Sequence, residues 1–423
     1  MNPEAGKRSF DIVVIGAGMV GAAAASLLGR AGFSVAIVEG REPQPFDASE
    51  PVGLRVSAFS PGSAAVLGEA GAWRLVQRSR QCAYQRMVVE DRDENAVLEF
   101  EAAEFGLDQL GSIVENELVQ WSLWQALQVA AGVEIHCPDR IESLEYEQGR
   151  ARVHLSSGTV LNTRLLVGAD GAQSQVRELL GIRQELWEYG QSGIVGVART
   201  AEPNPGIAWQ RFLDTGPLAF LPLADGGSSI VWSCPEAETR RLLALDDGAF
   251  LAELEQAAAG TAGHWPGKLE AIGPRAAFPL TMRLSERYAG RHAVLLGDAA
   301  HVMHPLAGQG VNLGLLDAAG LVEVLIEARN RQQDIGSEKV LLKYDRWRRS
   351  EAEVMCRGVH NIRGLFMPGE LGGVRRLGMG LVARSWTAKE AFIRRATGRN
   401  RNAPALARGE SLSALLHPPA AAS

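Results

Sequence analysis

The sequence has few cysteines and no excess of positive charge. Its four cysteines among 423 residues (Cys82, Cys137, Cys234 and Cys356) have neither CxxC nor metal-ligand spacing. This excludes a disulfide framework and a cysteine-based metal site, and it indicates a reducing, cytosolic compartment. The 43 basic residues are outnumbered by 49 acidic ones, which gives a net charge of −6. No broad nucleic-acid surface is therefore expected.

Only one run without charge is long enough to resemble a membrane span. Residues 12–29 reach the lower limit for such a span, but Gly16, Gly18 and Gly21 lie inside the run and the β-type run SVAIVE follows it. The run therefore predicts a strand, a tight turn and a helix rather than a span or a signal peptide. With 46% hydrophobic and 22% charged residues, the chain has a globular composition. Its length predicts two domains with a C-terminal extension.

The N-terminal segment has the pattern of a dinucleotide-binding βαβ unit. The apolar run FDIVVI predicts a buried parallel strand, GAGMVG at 16–21 is a GxGxxG turn, and an Ala- and Leu-rich helix ends at Gly32. Glu39 closes the second predicted strand, 34–38. A plain glycine turn would not require this acid, so the combination predicts a dinucleotide site.

Two further apolar strands end in acidic glycine turns. LLVGADG carries Asp170 and Gly171, whereas AVLLGDAAH carries Asp298 and leads into a helix predicted over 313–329. Because the three strand-turn elements come from distant parts of the chain, a sheet built from them requires insertions. The largest insertion has four short strand-like runs, with a hairpin turn at Asp225-Gly226, and predicts an antiparallel sheet.

These three elements, in this order, resemble the three fingerprints of the FAD-dependent aromatic hydroxylases that have the para-hydroxybenzoate hydroxylase fold. The run HPLAGQGVNLGLLD, from His304 to Asp317, is similar to the signature of the ubiquinone-biosynthesis hydroxylases. The runs LRVSA, IVEN and LAFLPL extend the resemblance, which covers nearly the whole chain to about Gly398. Among the branches of this family, the chain looks most like the 2-polyprenylphenol hydroxylases, which add the first ring hydroxyl.

The resemblance implies an α/β fold in which a Rossmann-like FAD-binding domain carries an inserted antiparallel β-sheet substrate domain and a helical C-terminal region. The expected segments are 1–80, 111–186 and 289–345 for the FAD-binding domain, 81–110 for a substrate-side segment, 187–288 for the substrate domain, 346–398 for the helical region and 399–423 for a disordered tail.

The resemblance also implies roles for residues near the FAD phosphates and adenosine. Gly16 and Gly18 would let backbone N–H groups approach the pyrophosphate, and Gly21 would permit close packing of helix and strand. Glu39 would accept hydrogen bonds from the ribose hydroxyls. Asp170, with Gly171, would help to hold the pyrophosphate region and to guide the reductant, although Asp170 alone is also a typical N-cap of the following helix.

Other residues are expected around the flavin ring. Asp298 would bind ribityl hydroxyls, as would Asn116, which by itself reads as a turn residue. Arg55 would contact the flavin side, with a surface salt bridge as the alternative. The remaining expected residues lie at the reactive edge of the flavin and are Pro305, Gly308, Gln309, Gly310 and Asn312. Pro305, Gly308 and Gly310 would act there through their backbone. The helix that starts there would direct its positive dipole end at the flavin.

Two histidines invite a catalytic assignment. No carboxylate partner for His301 or His304 is evident in the sequence, so structural or positioning roles are expected. The two could form a metal pair, but no third ligand is visible and no metal is predicted.

The cofactors implied are FAD and a transiently bound NAD(P)H, because only one GxGxxG turn is present. The family hydroxylates a lipophilic phenol with O2 through a flavin C4a-hydroperoxide, which requires a dry site. The apolar residues Phe220, Leu221, Pro222 and Trp232 suit that purpose, although any sandwich core would look similar. The alternatives are a sister hydroxylase for another ring position, a flavoprotein oxidase, and a non-catalytic flavin-binding subunit, which need not keep the GQGxN run.

Because the implied substrate carries a lipid tail, the C-terminal region is expected to touch a membrane surface or a partner. Residues 363–399 contain eight basic residues against Glu370 and Glu390, a net +6, with apolar residues interleaved. Packing of those apolar residues on the FAD-binding domain is the alternative. The expected location is cytoplasmic, with a peripheral position at the inner membrane. A ubiquinone-biosynthesis protein complex and a homo-oligomer both stay open.

Overall fold

The computed structural model describes residues 7–91, 97–147, 149–259, 267–304, 308–366 and 385–417. In chain order, the strands within these ranges are β1 (Lys7–Ile15), β2 (Val35–Val38), β3 (Val56–Phe59), β4 (Gln81–Tyr84), β5 (Arg86–Glu90), β6 (Val97–Glu101), β7 (Gly111–Glu115), β8 (Val133–His136), β9 (Ile141–Glu147), β10 (Arg150–Leu155), β11 (Val160–Gly168), β12 (Gln184–Thr200), β13 (Ile207–Phe212), β14 (Pro217–Pro222), β15 (Ser228–Pro235), β16 (Leu269–Ile272), β17 (Ala276–Ser285), β18 (Ala289–Gly290), β19 (Ala293–Leu295) and β20 (His301–Val302).

The α-helices of the same ranges are α1 (Met19–Arg30), α2 (Pro61–Glu69), α3 (Trp73–Arg78), α4 (Asn116–Gln128), α5 (Gln175–Leu179), α6 (Glu236–Leu243), α7 (Asp247–Ala258), α8 (Gly310–Asn330), α9 (Glu338–Phe366), α10 (Trp386–Ala396) and α11 (Leu412–Leu416). Two short 3-10 helices span Ala102–Phe105 and Gly297–Ala299.

The first sheet has a parallel core in the order β19-β11-β1-β2-β8. Its strands end in register, because Ile15 pairs with both Val38 and Gly168, and Gly168 pairs with Leu295. The turns after β1, β2, β11 and β19 therefore leave the sheet at one edge. This is the edge at which open α/β sheets bind ligands, and it gathers the three fingerprints that the sequence predicted.

The uncharged run at 12–29 forms most of β1 and α1, as predicted. The strand is buried, and so is the helix from Gly21 to Gly29. Its alanines have small side chains, which let the helix pack closely between the sheet and α8. The absence of charge thus reflects burial inside the protein.

The second sheet has the order β20-β17-β12-β15-β14-β13-β5-β6, with β16 also paired to β12. It is antiparallel apart from the β5–β13 pair, which is parallel. The hairpin at Asp225-Gly226 joins β14 to β15 as predicted. The sequence did not predict α6 and α7, whose Leu242, Phe250 and Leu254 cover one face of this sheet. The α/β fold with an inserted sheet is confirmed.

The end of the chain contradicts the expected disordered tail. From 399 to 417 the chain is ordered, and Ala403, Leu406, Ala407 and Leu412 are buried in the main core. The backbone N–H of Leu412 also donates to Glu69 Oε2 at 3.0 Å. The small and apolar residues of this segment bury their surface against the FAD-binding domain, and this burial holds the segment in a fixed position.

Candidate functional site

The glycine turn after β1 is shaped by two kinds of glycine. Gly16 has a φ of +97°, and a Cβ there would lie 2.5 Å from Ala169 O. A Cβ on Gly21 would overlap Gly16 O. In contrast, a Cβ on Gly18 would meet no atom of another described residue within 4 Å, its chain neighbours aside. Gly16 and Gly21 are thus required by the packing of the protein, whereas Gly18 borders open space at the N-terminus of α1.

Glu39 stands beside this turn at the end of β2. Its Oε2 accepts the N–H of Ala17 at 2.6 Å, and its Oε1 accepts the N–H of Arg41 at 3.1 Å. These bonds hold the carboxylate next to the glycine turn. Each oxygen keeps a second lone pair, so ribose hydroxyls can still donate to it.

Asp170 contacts the start of the next helix, but the N-cap of that helix is Ser174, so the N-cap role considered for Asp170 is wrong. Its carboxylate accepts the Ser174 hydroxyl at 2.5 Å and the N–H of Val176 at 3.0 Å. Gly171 follows with a φ of +82°. Arg177 was not predicted as a site residue. It is buried and donates to Ala172 O and Ala299 O, and these bonds connect two of the acidic turns. The only signal was its position just after the Asp170 turn.

Asp298 lies close enough to Arg55 for their charges to interact, and we call the space beside them, at the edge of the first sheet, the cleft. The Asp298 side chain is exposed, yet desolvation by the protein around it raises its pKa, against the opposing charges of His301 and Arg55. Arg55 forms no ion pair within the described part of the chain, so the salt-bridge alternative has no partner there. A carboxylate in this position suits recognition of hydroxyl groups, which bring no competing charge.

The two asparagines are engaged by the protein itself. Asn312 donates to Ala58 O at 2.7 Å and accepts the N–H of Ser60 at 2.8 Å. Asn116 accepts the Ser57 hydroxyl at 2.7 Å. Asn312 is buried, so its side chain positions the start of α8 against β3 rather than facing the cleft.

Part of the predicted flavin-edge run can be placed. Pro305 lies outside the described residues. Gly308 has a φ of +59°, and a Cβ there would lie 3.3 Å from the Cβ of Ala58, whereas the nearest atom to a Cβ on Gly310 is Met303 Cγ at 3.9 Å. Gln309 directs its amide to Ala396 O at 3.5 Å. No side chain among the described residues caps the first turn of α8, so its N–H groups stay free to face a ligand.

The histidines differ from the expectation in one respect. His301 has a carboxylate partner, because its Nε2 lies 2.5 Å from Asp317 Oδ2, with both groups buried. The sequence did not reveal this pair, since 16 residues separate its members. Burial, helped by the charges of Arg363 and His360, lowers the pKa of His304 to about 4. His304 is therefore neutral at neutral pH. No group of three or more potential metal ligands occurs among the described residues.

An apolar cluster lies between the flavin-edge residues, the second sheet and α10, and we call it the cleft cluster. Its buried members are Ala58, Tyr84, Phe100, Ala102, Leu110, Ile113, Ala208, Leu223 and Ile393, and partly exposed side chains such as Met87, Leu98, Val197 and Leu221 pack against it. The expectation that Phe220 and Trp232 line the site is wrong. Successive residues of a strand face opposite sides of the sheet, so Leu221 joins the cleft cluster while Phe220 and Trp232 pack with α6 and α7.

Comparison with known proteins decides the family. The profile described as "FAD binding domain" matches residues 9–358. The chain belongs to the FAD binding domain family. A 3-demethoxyubiquinol 3-hydroxylase from Escherichia coli (strain K12) is 37% identical over 397 residues, which cover 92% of this chain and 98% of the relative. A ubiquinone biosynthesis monooxygenase COQ6 from Danio rerio is 34% identical, covering 84% of this chain and 83% of the relative.

A solved structure shows the same fold. The p-nitrophenol 4-monooxygenase PnpA from Pseudomonas putida DLL-E4 superposes with a TM-score of 0.74 at 19% identity, covering 93% of this chain and 99% of that one. This member of the FAD binding domain family is thus an FAD-dependent monooxygenase, and its resemblance to the ubiquinone-biosynthesis hydroxylases is confirmed. The expected 2-polyprenylphenol branch is not supported, because the E. coli relative is a 3-demethoxyubiquinol 3-hydroxylase.

The residues at the sheet edge fit FAD. The open space at Gly18 beside the N-terminus of α1 suits a pyrophosphate. The Glu39 carboxylate next to that turn suits a ribose, and the accessible Asp298 carboxylate suits a ribityl chain. NAD(P)H is the usual electron donor of such monooxygenases. Within the described residues, no helix is both long and apolar enough to cross a membrane.

Proposed function

We propose that this chain hydroxylates the aromatic ring of a polyprenylated precursor in ubiquinone biosynthesis, using FAD, O2 and NAD(P)H. The observation that carries the proposal is the cleft cluster, which begins at Ala58 beside Gly308 and continues along the second sheet to α10. Its partly exposed members, among them Met87, Leu98, Val197 and Leu221, offer apolar surface at the side of the second sheet that faces away from α6 and α7. Such a surface suits a ring with a hydrocarbon tail and offers little to a charged substrate.

Different residues of the chain contact different parts of the cofactor in this proposal. Reduced FAD supplies the activation of O2 when it is bound. We assign to Gly18 the close backbone approach to the pyrophosphate, to Glu39 the ribose and to Asp298 the ribityl hydroxyls. The uncapped N–H groups at Gly310 face the flavin edge, where they favour negative charge. The cleft cluster excludes water from the reacting ring.

For the ring position, we take the E. coli relative as the guide. The E. coli relative is by its name a hydroxylase of 3-demethoxyubiquinol, at 37% identity, and we infer the same class of substrate here. Deletion of the gene should then lead to accumulation of a demethoxyubiquinol-type precursor, identified by mass spectrometry of extracted lipids. Accumulation of a 2-polyprenylphenol would instead assign the first ring hydroxylation, and an unchanged quinone pool would overturn the proposal.

We also propose that α10 forms part of a peripheral contact with a membrane. Trp386 and Phe392 are 51% and 40% exposed although they stack on Phe105 and Phe100, and the side chain of Arg394 is 63% exposed. Exposed aromatic and cationic side chains on one short helix are typical of interfacial helices. Arg375 and Arg376 of the basic segment lie outside the described residues.

Flotation with anionic liposomes tests this contact. Arg394→Glu should reduce flotation of the holoenzyme, whereas the control Arg183→Glu, at an exposed arginine outside the segment, should not. Equal flotation of the variants and wild type would contradict direct lipid contact at α10 and leave a partner protein in the biosynthetic complex, or a second copy of the chain, as the occupant of this surface.

A further inference from the structure

The signature-like run ends at Asp317, a residue to which nothing above gives a role in the site. Asp317 lies in α8 and is fully buried. Its Oδ1 accepts the Nε–H of Arg348 at 2.8 Å, and its Oδ2 accepts bonds from His301 Nε2 at 2.5 Å and from the N–H of Gly297 at 3.2 Å. Burial alone would raise the pKa of Asp317, but the charges and hydrogen bonds of His301 and Arg348 outweigh it and lower that pKa. The carboxylate is therefore ionised at neutral pH.

The bonds that Asp317 accepts from Gly297 and His301 fix the segment that contains Asp298. Gly297 directly precedes Asp298, and His301 follows it by three residues. One oxygen of Asp317 thus binds the segment on both sides of the acid that faces the cleft. The N–H of Gly297 points to this oxygen from a backbone with a φ of +57°.

The packing of α8 brings Asp317 within reach of this turn. Gly314 lies three residues earlier, on the same face of the helix. A Cβ on Gly314 would lie 2.6 Å from Val20 Cγ2 and 3.1 Å from Gly297 Cα. The glycine therefore lets α8 touch both α1 and the turn, and Asp317 then bonds the turn at the point of contact.

We propose that Asp317 is a positioning residue for the flavin site, which presents Asp298 to the cleft by fixing Gly297 and His301. This inference rests on the proposed binding of FAD by Asp298. The simpler alternative is a structural ion pair with Arg348. That pair occupies only Oδ1, however, and leaves unexplained why the other oxygen bonds both sides of Asp298.

A double-mutant cycle separates positioning from a merely structural role. FAD affinity is measured by titrating apoprotein and following the quenching of flavin fluorescence. We expect Asp317→Asn to weaken FAD binding at least about tenfold, as for the loss of one charge-assisted hydrogen bond. In an Asp298→Ala background, Asp317→Asn should weaken binding no further, because the residue through which it acts is gone. Effects that multiply in the double variant would overturn the proposal.

Two further variants keep the test decisive. Asp317→Asn leaves Arg348 buried without its partner, so Asp317→Asn combined with Arg348→Met is measured in parallel and should show the same loss of FAD affinity. Arg348→Met alone keeps both bonds of Oδ2 and should bind FAD almost as wild type does. If wild type bound FAD and Asp317→Asn bound it equally well, this inference alone would fail. If folded wild type bound no FAD, the proposed function would fail first.

Discussion

Replacement of Gly18 by valine tests the cofactor site with little disturbance of the protein. The φ of Gly18 is −62° and its ψ is 176°, an extended conformation that any residue adopts. Apart from its chain neighbours, no described residue has an atom within 4 Å of the added Cβ. The valine side chain therefore fills only the space that we assign to the FAD pyrophosphate.

The expected magnitudes separate the effect on binding from the effect on folding. Valine in place of glycine at the N-cap of α1 costs about 1 kcal/mol, so apoprotein of Gly18→Val should unfold almost as wild type does. FAD at a hundred times its Kd stabilises a folded protein by about 2.7 kcal/mol, which raises Tm by a few degrees. Wild type should show this rise, and Gly18→Val should not.

The assay is thermal unfolding of apoprotein with and without FAD, together with the flavin absorbance of the purified protein. Gly68→Val is the matched control, because Gly68 is an exposed glycine of α2 whose Cβ would also meet no atom within 4 Å. The control should keep the rise in Tm. Gly21→Val should lose the fold itself, because its Cβ would overlap Gly16 O. Full retention of FAD by Gly18→Val would refute the placement of the pyrophosphate.

Three further predictions concern the flavin edge, a buried histidine and the chain end. Gly310→Leu should keep FAD, because among the described residues its Cβ meets only Met303 Cγ at 3.9 Å, but it should yield less hydroxylated product per NAD(P)H oxidised. Unchanged coupling would show that this glycine does not face the flavin. Folding lowers the pKa of His304 from 6.5 to about 4. Between these pH values the imidazole is protonated in the unfolded chain but not in the folded protein, so up to about 3 kcal/mol of the free energy of unfolding is lost as pH falls from 6.5 to 4. Urea unfolding across this range should show a flatter pH dependence for His304→Asn, and identical slopes would contradict the buried neutral imidazole. Leu406→Ala should destabilise the protein by about 2–5 kcal/mol in the same assay, whereas no change would favour the disordered tail that the sequence predicted.

Local patterns predicted the parts of the fold that depend on local chemistry. Gly16, Asp170 and Asp298 each follow a short apolar strand, and parallel pairing of those strands brings them to one edge. The run before Gly32 predicted α1 because its Ala- and Leu-rich composition and its terminating glycine lie within the same short stretch of the chain. These features could be predicted because residues that are neighbours in the sequence determine them.

The parts that the sequence did not predict depend on distant contacts. Phe220 and Leu221 are equally apolar, and only the position of α6 and α7 decides which of them faces the cleft. Asp317 pairs with His301 because α8 folds back onto the turn at Gly314. Leu406 has a place only because α8 and its neighbours offer an apolar surface. In each case the contacting residues are far apart in the sequence, and the local pattern of apolar residues does not predict which distant residues will meet.

Ring hydroxylation with isotopically labelled O2 tests the central claim most directly. The purified FAD-loaded protein is incubated with NAD(P)H, labelled O2 and a short-chain demethoxyubiquinol, and the products are analysed by mass spectrometry. The proposed function predicts one labelled oxygen atom in the new ring hydroxyl and the second in water. Consumption of O2 that yields only hydrogen peroxide, with no labelled hydroxyl on the ring under coupled conditions, would contradict it and identify an oxidase instead.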